Sequence, residues 1–370
     1  MVNALRRALK FAVALALVGA TVATVVGTAS STGRIARGHA VGPLKIAFLN
    51  NGPTNDGGWT ESISDGRIAV QSALGSKVST TYTDNIPFGP DITRVAEQYV
   101  SQGYPVLVDG SCGGCVQFTQ VCKKYPKVTC LLLDGSPPFT ANEAGLFPKF
   151  WQSAYLVGMT AGLLTKSNKI GTVEAFNIPL VTSIVNAYAM GCQSVNPKCQ
   201  VLAGVQNSWL LPAKTQQIAS SLVDSGADFL WSYLDDSTTA RVAEQRGAWA
   251  SGAYLDQLKF APQHYATGQV FKWGGPLVEQ VKAIIAGKFK SGLYLSTLGQ
   301  GVDVGAVWGP SVPASVKTKV LAMKTKIQNG YNPFVGPLYD KSGKLRVKPG
   351  QKLSETYLYY QWNWQVKGIK

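Results

Sequence analysis

Between Leu44 and Leu255, short runs rich in Val, Ile and Leu alternate with stretches of helical periodicity, and the rhythm is played twice. This alternation constrains the fold more than any other feature. A strand followed by a helix and another such strand needs a crossover, and repeated crossovers build a parallel, doubly wound sheet. In the first pass, residues 45–51, 78–86, 105–111 and 128–136 read as strands, with helices over 58–74, 91–103 and 115–126 between them. The first unit ends near Phe150. In the second pass, helices over 155–168, 180–197, 212–227 and 237–247 alternate with strands over 169–176, 200–206, 228–234 and 248–255.

Helix 155–168 carries the small residues Gly158, Ala161 and Gly162 on one side, suited to close packing. Two further amphipathic helices are expected over 274–289 and 312–330. The aromatic-rich tail ETYLYYQWNW (355–364) reads as a strand or a cover over the rest. A chain of 370 residues is long enough for two such units with a large core.

In doubly wound sheets, ligands bind beyond the carboxyl ends of the strands. Those ends are Asn50-Asn51, Ser111-Cys112, Asp134-Gly135, Glu174-Ala175, Asn207-Ser208-Trp209, Asp235-Asp236 and Asp256. Two units with facing strand ends form a cleft. Trp, Asn and Asp at such ends suit a flat polar molecule, with aromatic faces sandwiching it and side-chain oxygens and amides reading its edge.

IAFLNNGPTNDGGWTESISDGR, TKSNKIGTV, NAYAMGCQSVNP, SWLLPAKTQQIASSLVDSGAD, AEQRGAWASGAYLDQLKFAP and NPFVGPLYDKSGKLRVKPGQKLS occur in that order between Lys45 and Ile369. Together they resemble the basic membrane protein family, the substrate-binding proteins of ABC importers related to the purine-nucleoside receptor. The resemblance implies an α/β protein of the type I periplasmic-binding-protein fold, with two Rossmann-like lobes and a hinge of several crossing strands. Residues 44–150 plus about 271–296 would form lobe 1, and 151–270 plus about 297–370 lobe 2. It implies no catalysis and no cofactor. The implied partners are a purine-like small molecule and a membrane permease, served by a monomer.

Carried over residue by residue, the resemblance makes Trp59 the aromatic that stacks on the ligand, behind the acidic turn residue Asp56. It places Ser111 and Cys112 on a cleft loop, and gives contacts to Trp209, Asp256 and Lys272. Asn51 and Asp236 join the set as polar residues at strand ends, with Asp236 preferred over Asp235. Trp273 reads as hinge packing. Two departures stand near the pocket. Ile63 occupies a place where adenine-type members often have His, and Cys112 replaces a loop aromatic.

The amino terminus carries Arg6, Arg7 and Lys10, then an apolar run from Phe11 to Ala29 that ends on small residues. Residues 1–29 read as a secretory signal and 30–43 as a linker. No cysteine precedes Cys112, so there is no lipobox, and the expected location is periplasmic or extracellular. Net charge falls from +15 to +12 when the three leader cations go. The excess is scattered lysine without a dense basic run, which argues against nucleic acid as a partner.

Six cysteines in an exported chain point to disulfides, although six allow 15 pairings. Cys122–Cys130 and Cys192–Cys199 are preferred, and Cys112–Cys115 is a further candidate. A four-cysteine zinc site would need a second close pair, which is lacking, so no metal site is expected.

An enzyme needs a nucleophile with a base, or paired carboxylates in a pocket. The only histidines are His39 and His264, and no G-x-S-x-G, H-E-x-x-H or P-loop pattern occurs. Two alternatives stay open. One is an exported ligand-sensing subunit of the same fold, and the other a thiol-dependent oxidoreductase using Cys112 and Cys115.

Overall fold

The computed structural model describes residues 42–111 and 115–370. The leader, nearly all of the linker, and Cys112 with its candidate bridge to Cys115 lie outside the described residues.

The first unit runs β1 (Leu44–Leu49), α1 (Trp59–Leu74), β2 (Val78–Thr83), α2 (Pro90–Ser101), β3 (Val106–Asp109), α3 (Cys115–Lys124), β4 (Thr129–Leu133) and β5 (Glu143–Pro148). The second runs α4 (Phe150–Leu164), β6 (Lys169–Glu174), α5 (Pro179–Val195), β7 (Gln200–Val205), α6 (Pro212–Asp224), β8 (Phe229–Tyr233), α7 (Thr238–Gln245), β9 (Trp249–Gly252) and β10 (Tyr265–Phe271). The chain then returns to the first unit with α8 (Gly274–Ile285) and β11 (Gly292–Ser296). It ends on the second with β12 (Val302–Trp308), α9 (Ala314–Gln328), a hairpin of β13 (Leu338–Tyr339) and β14 (Leu345–Val347), and α10 (Glu355–Tyr360).

Two six-stranded sheets result, in the orders β11-β5-β4-β3-β1-β2 and β12-β10-β9-β8-β6-β7. All neighbours are parallel except β12, which runs antiparallel to β10. Strands β3, β4 and β5 are buried along their whole length, as a parallel sheet covered on both faces requires. The chain passes between the sheets three times, after β5, after β10 and after β11.

Helices α4 and α5 pack backbone to backbone. A β-carbon on Gly158 would fall inside contact distance of the Tyr188 carbonyl, and one on Gly191 would meet the Tyr155 carbonyl. Glycine is needed here for close approach, not for backbone freedom.

The tail departs from expectation. Residues 355–360 are helical rather than a strand, with the Ser354 side chain accepting the Tyr357 N–H. Leu358, Tyr359, Trp362 and Trp364 are all buried, so the segment does cover the core.

The sulfurs of Cys122 and Cys130, and those of Cys192 and Cys199, lie at bonding distance. These bridges close loops with sequence separations of 8 and 7. Loop-closure entropy for such a loop gives about 2.5 kcal/mol. Replacing Cys192 and Cys199 together by Ser is expected to lower the unfolding free energy by about that amount. Chemical denaturation checks this, and an unchanged midpoint would contradict it.

Candidate functional site

Where the carboxyl ends of the two sheets face each other lies a cavity of about 250 Å³. The first lobe contributes Trp59, Ser111 and Asp134 to its wall, and the second Trp209, Tyr233, Asp235 and Tyr254. Ile178 and Leu180, at the start of α5, complete the lining.

Helix α1 opens directly after a Gly57-Gly58 turn, which sets Trp59 at its first position. The indole is only 8% exposed, and its N–H donates to the Gly110 carbonyl at 2.8 Å. Tyr254, Phe271 and Trp273 pack edge-on against it, with centroids 5.4, 5.7 and 5.5 Å away. Trp59 is thus both a wall of the cavity and part of an aromatic core. Trp209 is less enclosed and rests edge-on against Phe176 and Tyr233.

The lobes touch beside the cavity. Gln257 donates across to the Gly57 carbonyl at 3.0 Å, and a β-carbon on Gly58 would lie 2.6 Å from the Asp235 carbonyl.

Two wall residues hold a backbone conformation that L-residues rarely adopt. Asp134 has φ of 63° and Tyr254 of 66°. Such outliers, bulky Tyr above all, persist where the surroundings over-determine them, and they cluster at ligand sites. Asp134 is partly buried with its Oδ1 out of reach of solvent, and burial pushes its carboxyl up to about 7. Its Oδ1 and the Tyr233 hydroxyl have no hydrogen-bond partner among the described residues. Asp235 is also held well above the usual carboxylate range, first by burial and then by the charges of Asp56 and Asp236. The cavity therefore combines two indoles with buried oxygens that await donors or share protons.

Five of the expected contacts have other employment. Asp56 accepts the N–H groups of Gly58, Thr60 and Glu61 at 2.8–3.1 Å and so caps α1, where a carboxylate is favoured. Asp236 accepts the Thr238 N–H at 2.6 Å and caps α7; Asp235, not Asp236, lines the cavity. Asp256 accepts the Leu258 N–H at 3.0 Å. Asn51 donates to the Ile86 carbonyl at 2.9 Å. Lys272 pairs with Asp303 at 2.6 Å, and Lys324 pairs with the same carboxylate. Short polar residues beside helix starts satisfy orphan backbone N–H groups first, and proximity to a strand end does not distinguish the two roles. Trp59, Ser111 and Trp209 do line the cavity. Sequence reasoning passed over Ile178, Leu180, Tyr233 and Tyr254. Asp134 and Asp235 stood among its strand ends without being chosen.

Two α/β lobes with a cavity lined from both have the architecture of solute-binding proteins of the periplasmic type. Residues 44–309 match the family described as ABC transporter substrate-binding protein, PnrA-like, and the chain belongs to that family. It is 30% identical over 333 residues to a purine-binding protein of Brucella abortus, covering 90% of this chain and 94% of that one. It is 28% identical over 316 residues to a putative ABC transporter glucose-binding protein of Haloferax volcanii, covering 84% and 78%. A solute-binding protein of an ABC transporter from Conexibacter woesei superposes with a TM-score of 0.65 at 21% identity, over 78% of this chain and 97% of that one, and shows the type I fold. The family that matches is one of substrate-binding proteins, not enzymes. Among the described residues no helix is long and apolar enough to cross a membrane.

Buried carboxyls also set the response to pH. Burial raises Asp109 to about 8, and Asp134 and Glu174 each to about 7. Each keeps its proton in the folded protein after the unfolded chain, titrating near about 4, has released it. Their stabilising contribution is full below about pH 4 and is lost as pH rises through about 7 to 8. The melting temperature of the ligand-free protein is expected to fall between about pH 5 and 8.5, and Asp109→Asn to flatten the fall. A melting temperature that rises over that interval would contradict this.

Proposed function

We propose that this protein captures a purine base or nucleoside between its lobes and delivers it to an ABC permease. The observation that carries the reading is the convergence of two indoles, Trp59 and Trp209, with two partly buried carboxyls, Asp134 and Asp235, on one small cavity. A purine is flat, which suits the indoles, and its edge carries N–H donors, which suit the carboxyls. At about 250 Å³ the cavity is below the approximate 300–1,000 Å³ of drug-sized pockets, as a base-sized ligand requires. The 30% identical relative named as purine-binding supports the same choice.

Each stack contributes on the order of 0.5–1.5 kcal/mol beyond area burial, and each charge-assisted hydrogen bond about 1.5–3 kcal/mol. Because both lobes supply contacts, the ligand binds the closed form better than the open one and shifts the equilibrium towards closure. The protein works as an exported monomer, with residues 1–29 as its signal.

Mass spectrometry of the small molecule that co-purifies with the protein tests the reading. A purine is expected, and a hexose would overturn it. Trp209→Ala is expected to weaken purine binding about tenfold, about 1.4 kcal/mol, with little change in melting, because this indole is less embedded than Trp59. Unchanged affinity would remove Trp209 from the binding face.

A further inference from the structure

The chain's positive charge is concentrated at its carboxy-terminal end. Residues 297–370 hold eleven Lys and Arg against three Asp and Glu, whereas residues 44–150 hold eight against nine. Three of these eleven, Lys341, Lys367 and Lys370, share one face of the second lobe with Lys169 and Lys198. A concavity of about 850 Å³ opens at the amino ends of β6 and β7, walled by Lys169, Lys198, Lys341, Lys367 and Lys370. It lies at the end of the sheet opposite the ligand cavity, which sits at the carboxyl ends. Among the described residues, no ion pair engages any of these five lysines.

The same face carries exposed apolar groups. In the β13–β14 hairpin Tyr339 stands opposite Leu345, and the two side chains are 45% and 43% exposed. Lys341 and Lys344 sit in and beside the turn that joins them, both exposed. A shallow groove lined by Tyr331, Leu338 and Tyr339 continues into the basic concavity through Gln193 and Lys367, which line both. All of the tail residues involved lie beyond the 44–309 stretch that the family model matches.

We infer that this face is a docking surface for an anionic lipid bilayer, with the hairpin as its insertion point. Lysines spread over a concave surface meet an array of phosphates, while a Tyr and a Leu projecting among them suit the boundary between headgroups and acyl chains. Free phosphate would have no use for the apolar pair. A membrane engaged here leaves the ligand cleft facing away and accessible, so docking and ligand capture are compatible. The inference does not depend on the identity of the ligand.

The test is co-sedimentation of the full chain with vesicles of phosphatidylcholine alone or mixed with phosphatidylglycerol. The leader carries three cations of its own and favours anionic lipid, but it is unchanged in the variants, so the comparison of variant with parent isolates the proposed face. Binding is expected to be at least tenfold tighter to the anionic vesicles. The difference should vanish in about 0.5 M salt, where screening shortens electrostatic reach to a few Å. A triple variant carrying Lys341→Glu, Lys344→Glu and Lys367→Glu is expected to bind anionic vesicles at least tenfold more weakly than the parent. A second variant, Tyr339→Ser with Leu345→Ser, keeps the charge and is expected to bind anionic vesicles about fivefold more weakly. Both variants alter exposed side chains, and unchanged melting confirms that they fold. Equal binding to the two vesicle types, or a triple variant that binds like the parent, would overturn the inference. So would displacement by inorganic phosphate together with a serine variant that binds like the parent, since that result would mark a free-phosphate site.

Discussion

Replacing Gly158 by leucine is expected to leave no stable native protein. Helices α4 and α5 meet with the Gly158 Cα against the Tyr188 carbonyl, and Gly191 repeats the contact in the reverse direction against Tyr155. A side chain at either position meets backbone rather than the movable end of a neighbour. Overpacking ordinarily costs about 1–3 kcal/mol because side chains can shift. Here the helices themselves must separate, and both are almost wholly buried. A cost above about 4 kcal/mol is a large share of the about 5–15 kcal/mol that holds a domain folded. Gly158→Ala should be milder but still costly, because its single methyl already meets the Tyr188 carbonyl. Circular dichroism melting of the soluble fraction checks this. A leucine variant that melts with the parent would show that the helices are not in backbone contact.

The second large effect concerns Asp134, for which stability and affinity should move in opposite directions. The carboxyl is partly buried, lifted to about 7, and has a buried, unpartnered oxygen. In the empty protein near pH 8 it is a liability, so Asp134→Asn is expected to raise the melting temperature there. In the complex it is the natural acceptor for a ligand N–H, and its loss should cost about 1.5–3 kcal/mol, about 10- to 150-fold in Kd. A structural carboxylate would show the reverse pattern, with lower stability and unaltered binding. Thermal melting and calorimetry on the same preparation separate the two.

The alternating strands and helices were legible because each obeys a local period and ends on Gly, Pro, Asn or Asp. What escaped was decided by distant partners. Strands β5 and β11 pair with each other across more than a hundred residues of intervening chain, and β12 joins β10 antiparallel. No local pattern records such pairings. The tail was harder still, since its aromatics at 357, 359, 362 and 364 permit a strand, and the Ser354 cap turns its start into a helix. At the site, Ser111 and Trp209 were legible from their places at strand ends, and Trp59 from the family resemblance. The acids were not. Asp134, Asp235, Asp236 and Asp256 stand at such ends and Asp56 in the turn before α1, but three of the five cap backbone N–H groups and two face the cavity. The difference lies in φ of 63° at Asp134 and in which way a turn points Asp235, and neither is written in residue type.

The specificity of the cavity is the centre of this account, and relatives named for purine and for glucose make it a real choice. Calorimetric titration of the ligand-free protein with adenine, hypoxanthine, guanosine, adenosine and glucose addresses it most directly. Saturable heat with at least one purine and none with glucose is predicted. Heat from glucose alone, with all four purines silent, would contradict the account.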